Sequence, residues 1–166
     1  MTGTSSKRLI LLAATLLTIG CDQATKHLAA THLAGQPPRR YLADTVRIHY
    51  VQNPGAFLGL GAGLPPWART AVFTVGTAIA LLLMAAAGLR GTWTTPQLLG
   101  LGLFWAGGVS NLIDRALYGR VSDFLNVGIG SLRTGIFNVA DMVIMLGLLV
   151  VVVDHARRLQ QGRQAP

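Results

Sequence analysis

The chain has 166 residues, 51% of them apolar and only 12% charged, with a mean hydropathy of +0.49. That length suits one domain, residues 1–166, but a soluble domain carries about a quarter charged residues, so a soluble enzyme is disfavoured and an integral membrane protein is predicted. The net charge of +8 comes from basic residues in tails and loops, with no basic stripe interleaved with aromatics. Anionic lipid headgroups therefore fit it better than nucleic acid.

Four apolar stretches reach the roughly 20 residues that cross a bilayer. They are predicted at about 9–30, 67–89, 97–113 and 137–153. The first follows Lys7 and Arg8 and contains Asp22 and Lys26. Read instead as a lipoprotein signal peptide ending at Gly20-Cys21, it has Thr18 where a Leu is usual, and three spans follow it. Cys21 is the single cysteine, which excludes an intrachain disulfide and a Cys-based zinc site.

Residues 31–66 are polar and predicted to carry a small β-sheet on the membrane surface. Gly35-Gln36-Pro37-Pro38 signals a turn, and Thr45 to Val51 alternates, with Val46, Ile48 and Tyr50 on one face and Arg47 and His49 on the other. Asn53-Pro54-Gly55 makes a second turn, and Gly59, Gly61 and Gly63 read as loop. Asp123 falls in the connection Arg120–Gly135 between spans three and four. Both termini lie on one side. Basic residues are denser there (Lys7, Arg8, Arg90, Arg157, Arg158, Arg163) than on the other face, where they spread over about twice the length, so the termini are predicted cytoplasmic.

All six acids are Asp, with no Glu, the usual decoration of helical surfaces. These few carboxylates look placed. Asp22 lies about 20 Å along span one and Asn111 about 21 Å along span three, while Asn138 and Asp141 open span four. The polar groups thus converge on the outer third of the bilayer, each set on one helix face: Asp22 with Lys26, Asn111 with Asp114 and Arg115, Asn138 with Asp141. A mid-membrane charge costs about 2.5–3.5 kcal/mol, a large accumulated penalty for a passive bundle.

Two readings compete for these groups. One is structural: an Asp22–Lys26 helix pair, a local Asp114–Arg115 ion match, and Asn111 and Asn138 bonding between helices. It fits Asp123 and Asp141 less well, since neither has a basic residue at helical spacing, though Arg120 and Arg133 are near in sequence. The other is acid/base chemistry. Two carboxylates brought close share one proton, so one activates water while the other polarises a carbonyl. Other chemistries lack their signatures: no His-Glu-x-x-His, no Gly-x-Ser-x-Gly around Ser110, no Ser beside Lys26, and no ligand spacing among His27, His32, His49 and His155.

Five segments in order, Asp22-Gln23-Ala24-Thr25-Lys26, Asn53-Pro54-Gly55-Ala56-Phe57, Gly108 to Arg115, Val121-Ser122-Asp123-Phe124 and Phe137-Asn138-Val139-Ala140-Asp141, resemble the lipoprotein signal peptidase (signal peptidase II) family over nearly the whole chain. The resemblance implies a mainly α, integral membrane fold of four transmembrane helices with a small periplasmic β-sheet between spans one and two. It implies an aspartic endopeptidase of the bacterial inner membrane with Asp123 and Asp141 as catalytic pair near the periplasmic face. Asp22, Lys26, Asn53, Asn111, Asp114, Arg115 and Asn138 match positions that line or support its site. The implied substrate is a diacylglyceryl-modified prolipoprotein cut just before the lipidated Cys, amid membrane phospholipids, with no cofactor or metal and with one copy of the chain sufficing. The loop departs from the family's Asn-x-Gly-Ala-Ala-Phe by one Ala, which bears on where Asn53 sits.

Within that mechanism Asp141, at a helix start, is read as the ionised partner, and Asp123, in a loop, as the protonated one. A small proton-relaying transporter and an inactive lipid-binding relative are the competing functions.

Overall fold

The computed structural model describes residues 2–56 and 60–164. Phe57 and Gly59, and the side chains of Lys7, Arg8 and Arg163, lie outside the described residues. Helix α1 runs Thr2–Leu33, followed by strands β1 (Arg39–Tyr41) and β2 (Val46–Asn53). A short α2 (Pro66–Arg69), a π-helical stretch (Thr70–Gly76) and α3 (Thr77–Arg90) form one continuous apolar rod. Helix α4 (Thr95–Tyr118), strands β3 (Val121–Ile129) and β4 (Leu132–Arg133), and helix α5 (Val139–Gln164) complete the chain.

Among the described residues, Pro66–Arg90 and Val139–Gly162 are long and apolar enough to cross a membrane, with mean hydropathies of 2.2 and 2.1. The predicted segments 9–30 and 97–113 lie within α1 and α4, both of which run further at each end.

Burial is inverted relative to a water-soluble protein. Leu12, Leu16, Leu17, Leu82, Leu83 and Leu149 are exposed on the helix exteriors, while Asp22, Lys26, Ser110, Asn111, Asp114, Asp123 and Asn138 are buried. In water that arrangement wastes the hydrophobic contribution of the leucines and desolvates charge. Against lipid the leucines stay in apolar surroundings, and every buried polar group must find a partner within the protein. They do: no buried side-chain nitrogen or oxygen among the described residues lacks a hydrogen bond.

Helices α4 and α5 form the closest pair, because glycine lets their backbones approach. A Cβ on Gly100 would stand 2.7 Å from the Gly147 carbonyl oxygen, and one on Gly107 would stand 2.6 Å from that of Ala140. Helix α4 starts from a capping box of Thr94 and Gln97 and stops at Gly119, whose φ of 68° supplies the left-handed turn. The Thr94 hydroxyl also donates to Asp154 at 2.9 Å, fastening the start of α4 to the far end of α5.

The sheet corrects one expectation. It is a four-stranded antiparallel sheet in the order β1-β2-β3-β4, so half of it comes from the connection between α4 and α5 and not from residues 31–66. The alternation at 45–51 does form a strand, with Ile48 opposite Leu125 and Asn53 opposite Val121, and an irregularity between Ile48 and Val51. Its long partner at 121–129 is buried on both faces for much of its length, which removes the period-two signal that marks a half-exposed strand. Asp123 accordingly sits on β3, not in a loop. The sheet seats on the end of α1, where Phe124 packs with Ala29 and Leu33 beside Ile48 and Tyr50.

Candidate active site

Three ends meet at the sheet: the last turns of α1 and α4 and the first turn of α5. Their polar residues form one continuous hydrogen-bonded assembly.

Its base is the ammonium of Lys26, which reaches Asp22 at 2.7 Å and Asp114 at 3.1 Å and donates to the Asn111 Oδ1 at 2.8 Å. Asp22 is fully buried and also accepts from the Ser110 hydroxyl at 2.7 Å and from the Ala140 backbone N–H at 2.8 Å. One carboxylate thereby joins α1, α4 and the opening of α5. Asp114 accepts from Gln23 Nε2 at 2.9 Å and from the Ser122 N–H at 3.1 Å, which fixes the start of β3. The Asp114–Arg115 ion match read from their adjacency is not made: Asp114 pairs with Lys26, because successive helical residues point about 100° apart.

The ammonium dictates how Asn111 is oriented. Lysine can only donate, so the Asn111 carbonyl oxygen faces it, and the amide nitrogen is left to donate to Asp141 Oδ1 at 2.8 Å. Asn138 Nδ2 also donates to that carbonyl oxygen, at 3.1 Å.

Asn138 is the joint between the two unpaired carboxylates. Its Nδ2 donates to Asp123 Oδ1 at 2.7 Å. Its Oδ1 accepts from the Asp141 N–H at 2.9 Å, and its own N–H donates to Asp141 Oδ2 at 3.2 Å. The last two bonds are a reciprocal cap on α5, so the group that starts the helix also aims both carboxylates. Asn138 thus precedes the helix instead of sharing a helical face with Asp141.

Asn53 holds the other side of Asp123. Its Nδ2 donates to Asp123 Oδ2 and to the Ala56 carbonyl, each at 3.0 Å, while its Oδ1 accepts from the Gly55 N–H at 3.0 Å. The shortened loop therefore still delivers Asn53 to the cleft. Arg115 donates to the Gly55 carbonyl at 3.1 Å and lines the same cleft as Asn53, Asn111, Asp123, Ile136 and Asp141. A wider cavity of about 300 Å³ adjoins Asp123 between Val51, Pro54, Ala62 and Ile136.

Among the described residues neither Asp123 nor Asp141 forms an ion pair. Arg133 is instead spent on Asn126 and on backbone carbonyls of Asp44 and Thr45. Burial pushes the Asp123 carboxyl up to about 6, the neighbouring charge of Asp141 adds to the rise, and the bonds from Asn53 and Asn138 oppose it. All nine residues singled out in the sequence meet here. Ser110 and Gln23 join them unforeseen; their signal was a polar side chain in an otherwise apolar stretch, Gln23 beside Asp22 and Ser110 beside Asn111.

Residues 14–157 match the Signal peptidase (SPase) II family. The chain is 35% identical to a lipoprotein signal peptidase of Syntrophus aciditrophicus (strain SB) over 157 residues, 93% of this chain and 98% of that one. A lipoprotein signal peptidase of Desulforapulum autotrophicum is 37% identical over 137 residues, covering 81% and 83%. A solved structure described as a bacterial membrane enzyme, determined by the in meso method at 2.3 Å resolution, superimposes with a TM-score of 0.80 at 22% identity, over 95% of this chain and 93% of that one; it shares the fold.

Proposed function

The chain belongs to the signal peptidase II family, and we propose that it removes signal peptides from diacylglyceryl-modified prolipoproteins with Asp123 and Asp141 as its catalytic pair. The observation that carries this reading is that one residue, Asn138, is bonded to both carboxylates, by its side-chain amide to Asp123 and by its backbone N–H to Asp141, at a cleft where neither forms an ion pair among the described residues. Two carboxyl groups so held share a proton. Asp141 takes the base's part because it lies in the first turn of α5, at the positive end of the helix dipole. It removes a proton from water while Asp123, carrying the shared proton, polarises the scissile carbonyl. The coupled pair then returns its proton to the departing amine. Lys26, Asp22 and Asp114 keep Asn111 and β3 in place; Asn53 and Arg115 shape the loop over the cleft.

Four spans best support this chemistry. At 1.5 Å per residue the 32 residues of α1 and 24 of α4 extend about 48 and 36 Å, enough to cross beside the two strongly apolar rods. An up-and-down bundle then brings the ends of α1 and α4 to the same face as the start of α5, the face that bears the sheet. The denser basic residues at the opposite face support cytoplasmic termini and a cleft at the periplasmic side of the inner membrane. One copy supplies every site residue, so the enzyme acts as a monomer.

The test is cleavage of a diacylglyceryl prolipoprotein by purified protein in detergent, with Asp123→Asn and Asp141→Asn checked for folding by thermal melting. Wild type should release the signal peptide and both folded variants should be inert. A folded Asn variant that cleaves normally removes the dyad, and an inert wild type under conditions where another signal peptidase II works brings the proton-relay reading forward.

A further inference from the structure

Past the site, toward the end of α1, lies a groove of about 330 Å³ under the overhanging sheet. Its walls are almost wholly apolar: Leu28, Ala29 and Leu33 of α1, and Tyr41, Ile48 and Phe124 of the sheet. It is a separate compartment from the catalytic cleft, because Phe124 and Asp123 are successive residues of β3 and point to opposite faces. Below it, Leu28, Cys21 and Leu17 are exposed at i, i−7 and i−11 on one side of the helix. They make a lipid-facing strip about 16 Å long that runs up into the groove. At the mouth stands Arg39, which makes no ion pair among the described residues. His32 beside it uses Nδ1 on the Leu28 carbonyl at 2.9 Å, and its Nε2 has no hydrogen bond among the described residues.

An apolar trough continuous with the lipid face of a helix and topped by an unpaired guanidinium matches one kind of molecule. We propose that this groove seats an anionic glycerophospholipid of the outer leaflet, one acyl chain lying along α1 and its phosphate against Arg39. The lipid would fill the space between sheet and helix, so that the strand carrying Asp123 is steadied from behind by the membrane itself. The inference goes beyond the proposed peptidase activity and rests on α1 being a span.

Cys21 supplies the probe, being the sole cysteine and exposed on this strip. The full-length protein, labelled there with bimane, is placed in phosphatidylcholine nanodiscs containing a small fraction of mid-chain-brominated phosphatidylglycerol or, separately, brominated phosphatidylcholine. The phosphatidylglycerol should quench more strongly at equal mole fraction. Its relative affinity should fall about fivefold in Arg39→Gln, the ratio one basic group near an anionic lipid is worth, and should not change in Arg69→Gln. Leu28→Trp, which fills the trough from its exposed rim, should abolish the preference. Equal quenching by the two lipids, or a preference untouched by Arg39→Gln, overturns the proposal. Loss of the preference on adding diacylglyceryl-modified peptide also overturns it, by giving the groove to the substrate. Quenching by neither lipid does so as well, by removing α1 from the bilayer, an outcome that leaves the Asp123–Asp141 cleavage test untouched.

Discussion

Replacing Lys26 with Met tests whether a buried charge network, and not helix packing alone, holds the site together. The ammonium bridges two carboxylates that are 0% and 2% exposed, and its loss leaves both without a cation. Removing one partner of a buried pair costs about 3–5 kcal/mol, a large part of the 5–15 kcal/mol typical of a domain. At about 2–4 °C per kcal/mol for a chain of this size, the melting temperature in detergent should fall by about 6–20 °C. Cleavage should suffer separately. Without the ammonium, Asn111 keeps only the Asn138 amide on its carbonyl oxygen, and its charge-assisted hydrogen bond to Asp141, worth about 1.5–3 kcal/mol, weakens, so the single-turnover rate should fall by up to about 10–150-fold. The double variant Lys26→Met/Asp114→Asn removes one stranded charge, so its melting temperature should lie well above that of Lys26→Met while its rate stays low. Melting curves and single-turnover cleavage of the three proteins decide the matter. If Lys26→Met melts within about 1 °C of wild type and the second substitution adds its own full cost, the network does not carry the stability assigned to it.

Three further outcomes follow from the same geometry. Asp123 works protonated and its carboxyl is raised to about 6, so cleavage should decline as pH rises through that value. Asn53→Leu, which removes a bond favouring the ionised form, should move that limb to higher pH in a pH–rate profile. The folded state binds a proton at Asp123 that the unfolded chain has lost between about pH 4 and 6, so wild type should lose stability as pH rises across that window, a slope that Asp123→Asn should reduce in pH-dependent melts. Asn138→Ser keeps a capping oxygen for α5 on a shorter side chain that withdraws the amide donor from Asp123; its stability should stay within about 1 kcal/mol of wild type, with Asn138→Ala lower by about 1 kcal/mol, while both lose at least about tenfold in cleavage. Gly107→Ala should destabilise even though Ala is favoured over Gly in a helix by about 1 kcal/mol, since its methyl meets the Ala140 carbonyl at 2.6 Å, and a melting curve at or above wild type would show that α4 and α5 are not so tightly joined.

Much of the site was legible because lipid makes polar residues conspicuous. In a water-soluble chain Asp22, Lys26, Asn111 and Asp114 would be lost among surface charges; in segments this apolar each is an expense that needs a reason, and all of them converge. The strand at 121–129 was not legible, because a strand buried on both faces does not alternate, and its pairing with β2 joins residues some 70 positions apart, Asn53 with Val121 and Val51 with Asp123. The partner of Asp114 was misread for a similar reason: adjacency in sequence put Arg115 beside it, whereas helix geometry turns Arg115 toward the loop and Asp114 toward Lys26 of another helix.

Sequence alone determined the composition class, the apolar segments, their polar interruptions and the two carboxylates without local cations, since hydropathy and spacing are properties of the chain itself. Only the tertiary structure decided which amide faces which carboxylate. That choice is made where three helix ends meet: Lys26 can only donate, so Asn111 must turn its amide to Asp141, and Asn138, capping α5, has its own amide left for Asp123. Each of those bonds joins residues that no local pattern brings together.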